Sequence, residues 1–99
     1  MTGILQYFLS EAADEDLSDI YEYTIRKFGE GQAVRYLASL DDLFGAICIE
    51  PGIGRERQDT IAELRSISHG NHSVFYKIFS DHILIVRVLH SSRDISKFL

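Results

Sequence analysis

An apolar run near the end of the chain, Ile83 to His90, constrains the fold more than any other stretch. Apolar residues occupy both of its alternating faces. One face carries Leu84, Val86 and Val88, and the other carries Ile83, Ile85 and Leu89. A strand that is apolar on both faces is normally an interior strand, and β-branched residues favour the extended backbone. We therefore predict a central strand here, and its polar end, His90 to Asp94, is the first place to look for a functional site.

Two amphipathic helices are predicted before this strand. Ser10 is a suitable N-cap for the first helix, and Gly29 is a suitable stop. The second helix runs from about Glu30 to Ile49, and the short connection requires an antiparallel helical hairpin. The apolar stripes are predicted to be Ala13, Leu17, Ile20, Tyr21, Thr24 and Phe28 on the first helix and Ala33, Leu37, Leu40, Phe44, Ile47 and Cys48 on the second.

Three further strands complete the prediction. They cover Ile4 to Leu9, Thr60 to Ser68 with an irregularity typical of a bulge or an edge, and His72 to Phe79 after a turn at Gly70-Asn71. Residues 50–59 are predicted to be a loop, and Arg93 to Leu99 a short helical turn. The fold class is therefore α+β, in the order β-α-α-β-β-β, with the helical hairpin packed on one face of a small, mostly antiparallel sheet. We expect residues 1–99 to form a single domain.

Charge and composition limit the functional classes. The net charge is −5, with −7 in residues 1–50 and +2 in residues 51–99, which also hold all four histidines. A net negative chain is a poor general binder of nucleic acid. We expect a cytoplasmic protein, since neither a membrane span nor a signal peptide is apparent. Cys48 is predicted to be a buried thiol, and His69 and His72 are predicted to be exposed beside their turn. Histidine spacing indicates no metal site, and we expect no cofactor.

Four polar residues of the predicted sheet form a candidate site: Arg65, Tyr76, His90 and Arg93. If adjacent strands bring them together, His90 would supply a general acid or base, and the two arginines would bind a phosphate. The alternative is that the arginines pair with nearby carboxylates and that His90 only ends its strand. Some aromatic residues, such as Tyr23 and Tyr36, lie outside the predicted apolar stripes of the two helices. They are either ordinary surface residues or one side of a groove for a partner helix.

A succession of short motifs resembles the ParE toxins of the RelE/ParE superfamily. The motifs are Tyr7-Phe8-Leu9-Ser10, Ala13 with Asp16-Leu17, Ile20 with Tyr23-Thr24, Phe28-Gly29 with Gln32-Ala33 and Tyr36, Pro51 with Ile53-Gly54-Arg55, Leu64-Arg65, His72 with Val74-Phe75-Tyr76, and Arg87-Val88-Leu89-His90 with Arg93-Asp94. The resemblance implies the β-α-α-β-β-β fold, a bacterial type II toxin–antitoxin pair concerned with plasmid or chromosome maintenance, and neutralisation by a ParD-like antitoxin.

The resemblance implies two alternative activities. ParE-like members are described as poisons of DNA gyrase, whereas RelE-like members are ribosome-dependent messenger-RNA endonucleases. The endonucleases usually add further basic residues and a tyrosine near the C-terminus, but Ile95 to Leu99 holds one lysine and no tyrosine. This departure favours gyrase inhibition without bond chemistry. An RNase, with His90, Arg65 and Arg93 as catalytic residues, is the alternative, and an inactive toxin that only binds antitoxin is a third possibility.

The expected contacts follow from this interpretation. Arg65, Tyr76, His90 and Arg93 are the predicted target-binding residues. A disordered antitoxin tail is expected to fold onto the chain, with Tyr23, Phe28 and Tyr36 as its anchors and basic residues facing the acidic first half. The expected assembly is a hetero-oligomer, a heterotetramer or larger. We expect neither a membrane partner nor sequence-specific DNA binding by this chain alone.

Overall fold

The computed structural model describes residues 5–57, 61 and 63–99. Two helices form an antiparallel hairpin, α1 over Glu11–Phe28 and α2 over Glu30–Ile49. The side chain of Ser10 accepts a hydrogen bond from the backbone N–H of Ala13 (2.9 Å), which confirms the predicted N-cap. Gly29 has a φ of 91°, a conformation that favours glycine, and it is the single residue between the two helices.

Among the described residues, five strands form one mixed sheet. They are β1 (Gln6–Leu9), β2 (Arg55–Glu56), β3 (Arg65–His69), β4 (His72–Ile78) and β5 (His82–His90), arranged in the order β1-β5-β4-β3-β2. β5 lies between β1, its parallel neighbour, and β4, its antiparallel neighbour, so the predicted interior strand is confirmed. The two-residue strand β2 falls in the predicted loop and pairs with the beginning of β3. The predicted strand positions at 4, 60 and 62 lie outside the described residues.

A bulge in β5 changes which faces its residues occupy. Phe75 pairs with Arg87 and Tyr76 with Ile85, so Val86 has no partner of its own on β4. Val88 therefore joins Ile83 and Ile85 in the core beneath the helices. The predicted grouping of Val88 with Leu84 and Val86, and of Leu89 with Ile83 and Ile85, was wrong because a strict alternation takes no account of the extra residue.

The sheet has an apolar core on each face. The helical hairpin covers the larger core, whose fully buried members include Leu40, Ile47 and Tyr76. On the opposite face, Phe75 and Leu89 pack with Leu64, Ile95 and the partly buried Phe98. Ile95–Lys97 forms a single 3₁₀ turn, which confirms the predicted helical turn in the tail. This turn places the C-terminal residues against the sheet.

Two predictions about single residues have opposite outcomes. Cys48 is buried as predicted, and burial raises the pKa of its thiol. Phe28 was predicted to belong to the buried stripe of α1, but 66% of its surface is exposed. It lies in the last turn of the helix, next to Gly29, and it faces the groove described below. In the part of the chain that the structure describes, no helix is long and apolar enough to cross a membrane.

Candidate functional site

A groove of about 750 Å³ lies between α1 and the end of β5. Its first wall is one side of α1, which contributes Asp16, Asp19, Ile20, Tyr23, Thr24 and Phe28. Its second wall comes from the end of β5 and the tail, which contribute Arg87, Val88, Leu89, His90, Arg93 and Phe98. Tyr36 of α2 and His72 of β4 also line it. Apolar and polar side chains therefore share one concave surface, as is typical of ligand and peptide sites.

An ion pair joins the two walls. Asp16 accepts hydrogen bonds from Nε and Nη2 of Arg87 (2.8 and 2.7 Å) and from the backbone N–H of Val88 (2.9 Å). Only 11% of the Asp16 side chain and 17% of the Arg87 side chain are exposed. The hydrogen bonds that Arg87 donates to Asp16 raise the pKa of Arg87 further above its ordinary value, despite the opposing effect of burial. The Arg87 guanidinium also lies 5.1 Å from the centre of the Phe98 ring, so the pair connects α1, β5 and the tail.

Three histidines form a row across the sheet at one end of the groove. His69 pairs with His72 across β3 and β4, and His72 pairs with His90 across β4 and β5. The Tyr36 hydroxyl lies 2.6 Å from Nδ1 of His72 and donates toward the carbonyl of His69 (3.2 Å). His69 and His72 were predicted to be exposed, but both are half-buried. The prediction was wrong because Tyr36, more than thirty residues earlier in the chain, covers them.

Burial shifts the pKa values of two neighbouring groups, His72 in this row and Tyr36 beside it. Burial, with smaller contributions from His90 and His69, lowers the pKa of His72 below its ordinary value. Burial also raises the pKa of Tyr36. The imidazole of His72 is therefore neutral and the phenol of Tyr36 is protonated at neutral pH, so each can donate or accept a hydrogen bond without carrying charge.

The four predicted target-binding residues do not form one cluster. Arg65 and Tyr76 are cross-strand partners, but Arg65 lies four positions before His69 on β3, about 13 Å along an extended strand. The buried Tyr76 hydroxyl donates to the carbonyl of Pro51 (2.6 Å) and accepts from the N–H of Gly54 (2.8 Å). Arg65 donates to the carbonyl of Gly54 (2.6 Å). These two residues therefore hold the loop after α2, whereas His90 and Arg93 line the groove.

The groove instead brings together two sets of residues that the sequence analysis kept apart. Tyr23, Phe28 and Tyr36, predicted for the antitoxin, line the same surface as His90 and Arg93, predicted for the target. Sequence reasoning missed the contributions of Arg87 and His72. Arg87 had a detectable signal, since it is the one charged residue inside an otherwise apolar strand. Within the described ranges, no three His, Cys, Asp or Glu side chains gather as a metal site.

Comparison with known proteins assigns the chain to a family. The sequence model described as "ParE toxin of type II toxin-antitoxin system, parDE" matches residues 7–95. The chain belongs to the ParE toxin family. Toxin ParE1 of Mycobacterium tuberculosis is 33% identical over 95 residues, which cover 95% of this chain and 97% of that protein. Toxin ParE1 of Caulobacter vibrioides is 36% identical over 88 residues, which cover 89% and 91% of the two chains.

A solved structure supports the same fold. The chromosomal ParDE toxin–antitoxin system of P. aeruginosa contains a chain that superposes with a TM-score of 0.74 at 16% identity. The match covers 88% of this chain and 96% of that one. The ParE family assignment and the helical hairpin on a mixed sheet therefore agree with the resemblance drawn from the sequence motifs.

Proposed function

We propose that this ParE-family toxin inhibits DNA gyrase and that a ParD-like antitoxin neutralises it by binding in the groove between α1 and the end of β5. The observation that carries the proposal is the exposure of large aromatic side chains on a concave surface. Phe28 is 66% exposed and Tyr23 is 52% exposed, and both line this groove. Exposed aromatic residues in a groove favour a protein partner, because binding removes their apolar surface from contact with water.

The proposed antitoxin segment is a tail that is disordered alone and folds on binding. Helix α1 presents the acidic residues Asp16 and Asp19 on the groove wall, but Asp16 is already paired with Arg87. A basic side chain of the tail would therefore find its partner at Asp19 rather than at Asp16. In this proposal, Tyr23, Phe28 and Tyr36 are the anchors, and the complex is a heterotetramer or larger.

The proposed gyrase contact is the exposed end of β5 and the following turn. His90 and Arg93 are both exposed there, at the edge of the same groove. Arg65 and Tyr76 are not part of this proposal because their polar groups are bound to the loop around Gly54. The net charge of −5 supports a protein target over a messenger RNA, since phosphate contacts would oppose long-range repulsion.

A supercoiling assay tests this proposal. The purified chain is mixed with gyrase and relaxed plasmid, and we expect it to block supercoiling or to accumulate cleaved DNA. Arg93→Ala should raise the concentration needed for inhibition by about 30-fold, as expected for an interface arginine worth about 2 kcal/mol. Arg55→Ala is the matched control, because Arg55 is also exposed but lies on β2, outside the groove. Absence of gyrase inhibition by the parent chain would contradict the proposal.

A ribosome-dependent RNase is the second candidate, and one observation favours it. His72 and His90 lie in the same groove as Arg93, with a neutral imidazole at His72. Two histidines and an arginine can supply a base, an acid and a phosphate contact. Cleavage of messenger RNA on translating ribosomes, lost by a hundredfold or more in a folded His90→Gln chain, would support this alternative. Antitoxin binding without either activity would identify an inactive toxin.

A further inference from the structure

His72 and His90 face each other directly across β4 and β5. They are cross-strand partners, and their rings lie 5.8 Å apart between centroids at an interplanar angle of 77°. Opposite positions on an antiparallel pair of strands hold two side chains close together on one face of the sheet. Both residues line the groove, so the space beside the two rings is open to small solutes.

Each ring is oriented by a hydroxyl group at Nδ1. Nδ1 of His72 lies 2.6 Å from the Tyr36 hydroxyl, and Nδ1 of His90 lies 2.8 Å from the Ser92 hydroxyl. Tyr36 can accept from Nδ1–H of His72 while it donates to the carbonyl of His69 (3.2 Å). Histidine ligands of metals commonly use one ring nitrogen for such a hydrogen bond and the other for the metal.

We propose that His72 and His90 bind one divalent transition-metal ion of the Zn²⁺ class through their Nε2 atoms. Two imidazoles on one tetrahedral Zn²⁺, with Zn–N bonds of about 2.0–2.1 Å, have ring centroids about 5 Å apart. The observed separation of 5.8 Å is therefore within reach of a small rotation of the exposed His90 ring. This site goes beyond the proposed function and does not depend on the identity of the toxin's target.

Binding requires a particular tautomer at His90. The backbone N–H of Ser92 donates to Nδ1 of His90 (3.1 Å), which places the ring proton on Nε2. On metal binding, the proton moves to Nδ1 and donates to the Ser92 hydroxyl instead, so one exposed backbone hydrogen bond is exchanged for the metal–nitrogen bond.

His69 does not complete the site. Its Nε2 lies 2.8 Å from the hydroxyl of Ser39, so its ring is held against α2. Two histidines thus supply the protein ligands, and water completes the coordination. Zn²⁺ accepts imidazole nitrogen readily, whereas Mg²⁺ prefers oxygen ligands. Selectivity for Zn²⁺ over Mg²⁺ therefore distinguishes this site from a general attraction of cations to an acidic protein.

The test is a calorimetric titration of the full chain, prepared without a histidine tag, with ZnCl₂ at neutral pH. We expect one-to-one saturable binding with a Kd below about 0.1 mM, and no saturable binding of MgCl₂ at concentrations of about 1 mM. The four histidines allow matched controls. His72→Gln and His90→Gln should each weaken Zn²⁺ binding by about tenfold or more, while His69→Gln and His82→Gln should leave it unchanged.

Three results would overturn the proposal. They are no saturation by Zn²⁺ below about 1 mM, equal binding in the parent chain and in His90→Gln, and an equal loss in His82→Gln. Thermal melts of all variants identify any loss of folding. Since His90 is exposed, its variant is expected to remain folded and to decide the outcome even if His72→Gln does not. Zn²⁺ should also raise the melting temperature of the parent chain, because a ligand that binds only the folded state stabilises it.

Discussion

Replacing Asp16 with alanine is expected to lower the free energy of unfolding by about 3 kcal/mol, near the lower limit of the range for removing one partner of a buried ion pair, because this pair is partly exposed. The substitution leaves the guanidinium of Arg87 without its carboxylate partner, and only 17% of the Arg87 side chain is exposed to water. It also removes the acceptor of the Val88 N–H. Urea unfolding at pH 7 measures the change, and loss of less than about 1 kcal/mol would show that water compensates for the missing carboxylate.

Two control variants distinguish the loss of the ion pair from the mere loss of a carboxylate on α1. Asp19→Ala removes an exposed carboxylate from the same helix and should change the unfolding free energy by no more than about 0.5 kcal/mol. The double variant Asp16→Leu/Arg87→Met replaces both charges with apolar side chains. It should recover much of the loss, because no unpaired charge then remains in the partly buried site.

Gly54→Ala is expected to lower the free energy of unfolding by about 1–3 kcal/mol, the usual cost of overpacking. A Cβ on Gly54 would lie 2.5 Å from the hydroxyl oxygen of Tyr76 and 2.7 Å from its Cε1 atom. Tyr76 is fully buried, so its ring has no solvent to move into. Accommodating the methyl group would displace the loop and weaken two hydrogen bonds that hold it, one from the Gly54 N–H to the Tyr76 hydroxyl and one from Arg65 to the Gly54 carbonyl.

Gly52→Ala is the matched control for this substitution. Gly52 lies two residues earlier in the same loop, and a Cβ there would meet nothing within 4 Å. Thermal or urea unfolding of the two variants therefore compares the same methyl group with and without a neighbouring ring. Equal stability of the two variants would contradict the role assigned to Tyr76 in holding the loop.

The helices and the interior strand were predictable because their causes are local. Ser10 caps the beginning of α1 and Gly29 ends it, and each acts on residues next to it in the sequence. The apolar run from Ile83 is visible in the sequence itself. The bulge at Val86 was not predictable in this way. The carbonyls of Ile85 and Val86 accept hydrogen bonds from Ser10, more than seventy residues earlier in the chain. The stability of the bulge therefore depends on the assembled fold.

The candidate site was predicted only in part, for the same reason. The sequence identified Arg65 and His90 as polar residues on strands, but strand register decides which residues meet. The register separates Arg65 from the histidine row and joins His90 to His72. The environment of His72, on β4, depends on Tyr36, which belongs to helix α2. A pattern within one strand carries no information about contacts of this kind.

The groove beside α1 is the proposed binding site of the antitoxin, and Phe28 tests this proposal most directly. Phe28 and Ile49 are similarly exposed, at 66% and 69%, but only Phe28 lines this groove. Neither substitution to alanine should change the stability of the chain by more than about 0.5 kcal/mol. The measurement is the Kd of the cognate antitoxin for each variant. We predict that Phe28→Ala weakens binding by about 30-fold, or about 2 kcal/mol, while Ile49→Ala binds like the parent chain. Parent-like binding by Phe28→Ala, or an equal loss in Ile49→Ala, would contradict the account.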